Sequence, residues 1–150
     1  NESMYDEVVI VNWKHRKNTG EIIKEKSYKV EIKKLSSVWL EKITLPELSL
    51  YDEYISYEMI KDNKVISSGT TIFCAPKHFK FINPNLNISV NGDEITILSD
   101  SYARSIEVIN EEDNLLLEDN YFDINSGIHK VKIIKGEPKG LKVRSVYDIR

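Results

Sequence analysis

The amino-acid sequence predicts an all-β protein made of two β-sandwich modules in tandem. About a dozen short segments rich in β-branched and aromatic residues follow one another, with turn residues roughly every 8–12 positions, a spacing typical of sandwiches. A stretch with two prolines, Ala75–Pro84, divides the chain near its middle, because proline fixes φ and donates no hydrogen bond. We therefore expect one module over residues 1–75 and a second over residues 76–150.

The first half of the chain predicts strands separated by turns. Glu7–Lys14 is β-branched, and Asn18-Thr19-Gly20 after it is a hairpin turn signal. In Ser27–Lys33 apolar and charged residues alternate, which is typical of a strand with one solvated face. Further strands are expected over Ser37–Leu45, Glu53–Lys61, Lys64–Ser67 and Thr70–Cys74. Leu45–Tyr57 is the only helix candidate, and its Tyr and Ile content favours a loop followed by a strand.

The second half repeats this rhythm after the proline-containing connector. Leu86–Val90 and Glu94–Leu98 flank Asn91-Gly92-Asp93, which predicts a hairpin. The remaining strands of this half are expected over Ile106–Ile109, Leu115–Leu117, His129–Ile134 and Lys142–Tyr147. Turns at such short intervals favour a sandwich over a parallel sheet with helices.

Composition excludes several classes of protein. The 150 residues carry 21 Lys and Arg against 24 Asp and Glu, a net charge of −3, which argues against a nucleic-acid partner. The single cysteine, Cys74, excludes an internal disulfide framework and favours a reducing, cytoplasmic compartment. No secretory signal opens the sequence, and no apolar run is long enough to cross a membrane.

A run of acidic residues is the densest group of candidate catalytic or metal-binding side chains. Glycosidases and many hydrolases need paired carboxylates, one of them as a general acid. The acidic residues are Glu111, Glu112, Asp113, Glu118, Asp119 and Asp123. Turns select Asp and Asn, so a solvated hairpin tip followed by a turn motif is the favoured interpretation. A calcium site built from Asp119, Asn120 and Asp123 is the alternative, although the spacing does not match an EF-hand loop.

Other motifs for chemistry are absent from the sequence. Cys74 and His78 are separated by Pro76, so no helix brings them together as a thiolate–imidazole pair. His15, His78 and His129 lack metal-ligand spacing, and there is no phosphate-binding glycine loop or nucleophile elbow. We therefore predict no catalytic, substrate-binding or metal-binding residue, no cofactor, and no enzymatic activity in this chain alone.

The aromatic residues are candidates for sugar stacking or for packing. Most fall at alternating strand positions, where sandwich cores use them as large apolar fillers. They are Trp13, Trp39, Tyr51, Tyr54, Tyr57, Tyr102, Tyr121 and Tyr147. Core or interdomain packing is the favoured interpretation, with a sugar contact as the alternative, and any exposed ring would mark a docking surface for another domain.

One segment resembles a known family. The residues are Asp119, Asn120, Tyr121, Phe122, Asp123 and Gly127. They resemble the Asp-Asn-Tyr-Phe-Asp-Leu…Pro-Gly signature in the last immunoglobulin-like domain of family 2 glycoside hydrolases of the β-mannosidase type. Pro76–Phe81 and Pro84–Leu86 resemble that family's connector into the domain, and Ser36–Leu40 and Tyr54–Thr71 resemble strands of the preceding domain. Ser126 departs from the pattern, because the family usually has proline there.

The resemblance implies two immunoglobulin-like sandwiches from the C-terminal region of an exo-glycosidase, the first lacking its opening strands. Such a parent releases terminal β-linked mannose and carries its two catalytic glutamates in a (β/α)₈ barrel, which would be the partner of this scaffold. Only the parent would meet the oligosaccharide. The six motif residues are assigned a structural role, and Asp119→Ala is expected to destabilise the fold.

Three alternatives remain open at the level of sequence. The parent could be a β-galactosidase, a β-glucuronidase or an exo-glucosaminidase, since the barrel sets the substrate. An autonomous carbohydrate-binding module would need an exposed aromatic platform, and a tandem-domain adhesin would need serial repeats. If opening strands are missing, a free sheet edge is expected to favour dimerisation.

Overall fold

The computed structural model describes residues 1–149 and divides into two units of antiparallel β-structure. The first unit comprises residues 1–17 and 22–73, and the second comprises residues 18–21 and the chain from Cys74 onward. The all-β, immunoglobulin-like fold class predicted from the sequence is confirmed. The first unit ends at Phe73, and the expected module boundary after residue 75 stays a prediction.

The first unit is built on one four-stranded antiparallel sheet in the order β2-β1-β3-β4. Its strands are β1 Glu7–Lys17, β2 Ile22–Ile32, β3 Glu53–Lys61 and β4 Lys64–Ile72. In β1 every second residue from Val9 to His15 points to the same side, and Val9, Trp13 and His15 are buried. The His15 imidazole lies 2.8 Å from the Glu53 carboxylate, so this buried polar group has a partner. That the first module lacks its opening strands stays a prediction.

The second unit has seven strands in two sheets. They are β5 Asn87–Asn91, β6 Glu94–Ser99, β7 Ala103–Ile109, β8 Leu116–Leu117, β9 Phe122–Ile124, β10 Gly127–Lys135 and β11 Lys142–Arg144. One sheet has the order β5-β6-β10-β8 and the other has the order β11-β7-β9. A four-plus-three arrangement of this kind is the strand count of constant-type immunoglobulin domains.

Alternating apolar residues from both sheets form the core of the second unit. Ile95 and Ile97 on β6 and Val131 on β10 come from the larger sheet, and they share one buried cluster with residues of the smaller sheet. The smaller sheet contributes Ala103, Ile106, Val108, Phe122 and Ile124. Full burial of a Val, Ile or Phe side chain contributes about 1.5–3 kcal/mol, so this cluster is the main stabilising feature of the unit.

The proline-containing connector is packed rather than free. It includes a short 3-10 helix, Pro76–His78, followed by Phe79 and Phe81, which are both buried. Their rings lie 4.7 Å apart between centroids, and Tyr102 packs against both at 5.9 and 5.8 Å. Aromatic pairs at such distances add to the apolar burial, so the connector is part of the second unit.

Three expected elements differ from the structure. The predicted strand Ser37–Leu45 is wrong: this segment has no strand pairing and lies in a long loop, because apolar and β-branched composition alone supplies no neighbouring strand. β4 runs unbroken through Lys64–Ile72 where two strands were expected, since β3 offers a continuous partner. The last strand stops at Arg144, and Val146–Ile149 forms a 3-10 helix. Among residues 1–149, no helix is long and apolar enough to cross a membrane.

Candidate functional site: the Asp119–Gly127 segment

The Asp119–Gly127 segment lies beside an irregularity in strand β7. β7 pairs with β9 through Ala103 with Ile124 and Ile106 with Phe122, so two residues of β7 oppose only Asp123. This two-against-one arrangement is a β-bulge, in which a backbone N–H loses its ladder partner. Ser105 in the bulge adopts a φ of 50°, a conformation that is uncommon for a residue with a side chain.

Asp123 provides a hydrogen-bond acceptor for the backbone N–H at the bulge. Its Oδ1 accepts a hydrogen bond from the Ser105 backbone N–H at 2.8 Å, and its Oδ2 lies 3.4 Å from the Tyr102 hydroxyl. The first contact has good geometry and a charged acceptor, whereas the second is too long to contribute much. The carboxylate therefore replaces the backbone carbonyl that the bulge takes away.

Asn120 pairs with the same strand by its side-chain amide. Its Oδ1 accepts from the Val108 N–H at 3.1 Å, and its Nδ2 donates to the Val108 carbonyl at 3.3 Å. An amide side chain carries both donor and acceptor groups, as a backbone peptide does. The Asn120 side chain thus hydrogen-bonds to β7 next to the start of β9, where no backbone of β9 pairs with Val108.

Tyr121 and Phe122 point to opposite sides of the segment, as consecutive residues of an extended chain do. Phe122 is 9% exposed and belongs to the core cluster, whereas Tyr121 is 62% exposed. The Phe122 ring also stacks on His129 of β10, with 4.1 Å between ring centroids and an interplanar angle of 21°. Two consecutive aromatic residues in an extended segment face opposite sides, and the structure places Phe122 in the core and Tyr121 at the surface.

Tyr121 joins a surface network with Glu107 and Arg144. The Tyr121 hydroxyl donates to Glu107 Oε1 at 2.6 Å, and Arg144 Nε donates to the other carboxylate oxygen. Hydrogen bonds from Arg144 and then Tyr121 lower the pKa of Glu107, and the hydrogen bond to Glu107 raises the pKa of Tyr121. Because Arg144 and Tyr121 are exposed, this network contributes little to stability.

Asp119 and Gly127 differ from the other motif residues. Asp119 is exposed, and the acceptor role expected for it is filled by Asn120 and Asp123. Gly127 adopts a φ of 98° at the start of β10, a conformation that favours glycine. That Asp119→Ala destabilises the fold stays a prediction, and the hydrogen bond of Asp123 predicts a larger effect for Asp123→Ala.

His129 makes the stability of the second unit depend on pH. Burial against Phe122 lowers the pKa of His129 below its usual 6.5, and the nearby charge of Asp119 offsets this in part. Because the pKa of His129 is lower in the folded state, the unfolded chain binds a proton at His129 more readily. The stability that the buried, neutral imidazole contributes is therefore complete above pH 6.5 and is lost as pH falls through the folded-state pKa. We expect the free energy of unfolding in urea to fall more between pH 7.5 and pH 5.0 in the wild type than in His129→Phe, which keeps a stacked ring. An equal loss in both proteins would contradict this assignment.

The candidate acid, metal and thiol groups are not assembled into a reactive centre. Glu111, Glu112 and Asp113 are exposed at a turn. Within the part of the chain that the structure describes, no three His, Cys, Asp or Glu side chains are placed to hold a metal ion. The calcium alternative fits poorly, because oxygens of Asn120 and Asp123 already accept backbone N–H groups. Cys74 is a half-buried free thiol.

The aromatic side chains separate into buried and exposed groups. Trp13, Tyr54 and Tyr102 are buried, which confirms core packing for them. Trp39 is 96% exposed, so it does not pack in the core, because its segment pairs with no strand. The alternative of interdomain packing stays a prediction for this residue, and its position shortly before Pro46 was a signal for a loop.

The site and the fold together define an immunoglobulin-like module in which the Asn120 and Asp123 side chains hydrogen-bond to the module's own backbone. The family model described as Mannosidase Ig/CBM-like domain matches residues 1–78. The chain belongs to this family. The resemblance to the immunoglobulin-like C-terminal domains of β-mannosidase-type family 2 glycoside hydrolases is therefore confirmed.

Solved structures agree with this fold over nearly the whole chain. The β-D-mannosidase of Dictyoglomus thermophilum matches with a TM-score of 0.75 at 18% identity, covering 97% of this chain and 19% of that one. The exo-chitosanase of Amycolatopsis orientalis matches with a TM-score of 0.59 at 10% identity, covering 97% of this chain and 24% of that one. The chain thus spans about a fifth to a quarter of these proteins. No curated protein matches it.

Proposed function

We propose that this chain is the non-catalytic scaffold of a β-mannosidase-type glycosidase that releases terminal β-linked mannose from non-reducing ends. The observation that carries the proposal is the Mannosidase Ig/CBM-like match over residues 1–78. The fold of a β-mannosidase over 97% of the chain supports it. The two catalytic glutamates would lie in a barrel outside these residues, where a separation of about 5 Å gives a retaining mechanism.

The structural role of the Asp119–Gly127 segment is part of this proposal. Asn120 and Asp123 hydrogen-bond to backbone groups of β7, and Phe122 fills the core of the second unit. Side chains used in this way leave few polar groups for a ligand, whereas a small-molecule site needs several that converge. We infer that the segment holds its sheet in register, in a second module that we place at residues 76–150.

The test compares the isolated 150-residue chain with the parent enzyme on p-nitrophenyl glycosides. The chain alone is expected to hydrolyse none of them, and the parent is expected to prefer the β-mannoside over the β-galactoside, β-glucuronide and β-glucosaminide. Activity of the isolated chain would overturn the scaffold assignment. A parent preference for another sugar would keep the scaffold and reassign the enzyme.

Two alternatives have their own readouts. An exo-glucosaminidase parent is favoured by the likeness to the exo-chitosanase, and preference for the β-glucosaminide would identify it. An autonomous carbohydrate-binding module would bind sugar by itself. Calorimetric titration of the isolated chain with mannose and mannobiose is expected to show no heat of binding, and a measurable affinity would favour the binding module.

A further inference from the structure

The hairpin between β5 and β6 carries the only Asn-Gly pair of the sequence. Asn91 is the last residue of β5, Glu94 is the first residue of β6, and the two are paired. Gly92 and Asp93 form the two-residue turn between them, and Gly92 adopts a φ of 62°. Two-residue hairpin turns use a positive φ at this position, which glycine adopts without strain. The turn geometry thus favours glycine directly after Asn91.

The side-chain amide of Asn91 and the backbone N–H of Gly92 are both accessible. Asn91 and Gly92 are exposed, and a Cβ added to Gly92 would meet no atom within 4 Å. Within residues 1–149, neither the Asn91 side-chain amide nor the Gly92 N–H forms a hydrogen bond. β5 also lies at the edge of its sheet, where strand ends open most easily. The two groups can therefore approach each other without breaking another contact.

The other asparagines of the chain differ from Asn91 in at least one of these respects. Most of them hold the side-chain amide in a hydrogen bond, as Asn12 does by donating to Glu58 at 2.9 Å. Asn63 is the best match, because it is exposed at the turn between β3 and β4, and its side chain forms no hydrogen bond within residues 1–149. It is followed by Lys64, however, whose Cβ stands beside the backbone N–H.

We propose that Asn91 is a site of spontaneous deamidation, with water as the co-reactant. The Gly92 nitrogen gives its proton to hydroxide and attacks Asn91 Cγ, so that the N–Cγ bond forms, the Cγ–Nδ2 bond breaks and ammonia leaves with a proton from water. The attack closes a five-membered succinimide, and glycine leaves the attacking nitrogen unshielded. Water then opens the ring: cleavage of the N–Cγ bond gives aspartate, and cleavage of the bond from the nitrogen to the main-chain carbonyl carbon gives isoaspartate.

The modification changes both the charge and the backbone of the hairpin. Either product places a new carboxylate next to Asp93 and Glu94, of which Glu94 pairs with Lys130 of β10 at 2.6 Å. Isoaspartate also adds a methylene group to the main chain at the end of β5, opposite Glu94. The pairing of residue 91 with Glu94 is lost in that product, because ladder hydrogen bonds need the regular spacing of peptide groups.

The test is incubation of the folded 150-residue chain at neutral pH in water labelled with heavy oxygen, followed by peptide mapping. Fragment masses are expected to place conversion at Asn91, with solvent oxygen incorporated, at a rate at least about tenfold above that at Asn63. Samples taken before incubation and processed identically correct for conversion during digestion. Isoaspartate is expected among the products and is recognised by its resistance to a protease that cuts before aspartate. Aspartate alone would overturn the succinimide route.

Two variants separate the role of the following glycine from that of exposure. Asn91→Gln keeps an amide at the hairpin but has to close a six-membered ring, and position 91 is expected to stay unmodified over the same incubation. Lys64→Gly places glycine after Asn63 in the other exposed turn and is expected to raise the rate at Asn63 at least about fivefold. Equal rates at Asn91 and Asn63 in the wild type, or an unchanged rate at Asn63 in Lys64→Gly, would overturn the proposal.

Discussion

Phe122→Ala is expected to lower the free energy of unfolding of the second unit by about 3–5 kcal/mol, the usual cost of removing a buried phenylalanine. The ring belongs to the core cluster with Ile106 and Ile124 and stacks on His129. Its removal leaves a cavity between the two sheets, and β9 is too short to shift and fill it. Urea unfolding followed by circular dichroism measures the loss.

Hydrogen exchange assigns that loss to the correct unit. The amides of Ile106 and Val108 on β7 report on the second unit, and their protection should fall in Phe122→Ala. Ile128→Ala is the matched control, because Ile128 is an apolar residue of the neighbouring β10 that is largely exposed. A loss in the control as large as that in Phe122→Ala would show that the core position is not what matters.

Asp123→Ala is expected to destabilise the second unit by about 2–3 kcal/mol, the usual cost of removing a charged hydrogen-bond partner from a part-buried group. The substitution takes away the acceptor of the Ser105 N–H at the bulge, and strand pairing provides no replacement there. Urea unfolding with hydrogen exchange at Ile106 measures the effect.

Two variants test whether the carboxylate acts through this one contact. Asp123→Asn keeps an oxygen in place for the Ser105 N–H and should recover most of the stability. Asp119→Ala removes an exposed carboxylate and should change stability by less than about 0.5 kcal/mol, as surface substitutions usually do. A loss in Asp119→Ala equal to that in Asp123→Ala would restore the role first expected for Asp119.

The hydrogen bonds of the Asp119–Gly127 segment show how its polar side chains are used within the fold. The oxygens of Asn120 and Asp123 are directed at β7, so their chemistry is used to correct a strand irregularity. The exposed side of the segment carries Tyr121 and its partners Glu107 and Arg144, which are hydrogen-bonded to one another. The segment is thus recognisable from sequence because its geometry requires particular side chains at particular positions.

Much of the fold could be predicted from local patterns. Alternation of apolar and polar residues in Ser27–Lys33 and in His129–Ile134 identified parts of β2 and β10, because such a period of two is a local property of the sequence. The turn at Asn91-Gly92-Asp93 was predicted as well, because Asn, Gly and Asp are a local turn signal. Ser37–Leu45 was also predicted as a strand and is a loop, since a strand needs a neighbouring strand, and the sequence of one segment does not state whether one exists.

The sequence by itself determined the all-β class, the positions of most strands and the lack of a catalytic motif, because periodicity, turn chemistry and residue types are local properties. Only the tertiary structure decided that Phe122 is buried, that Tyr121 is exposed and that Trp39 lies in solvent. It also decided that Asp123 accepts the hydrogen bond from the Ser105 N–H at the bulge. Each of these outcomes depends on which distant strand lies alongside, and pairing between segments far apart in the chain is fixed by the packing of the whole unit.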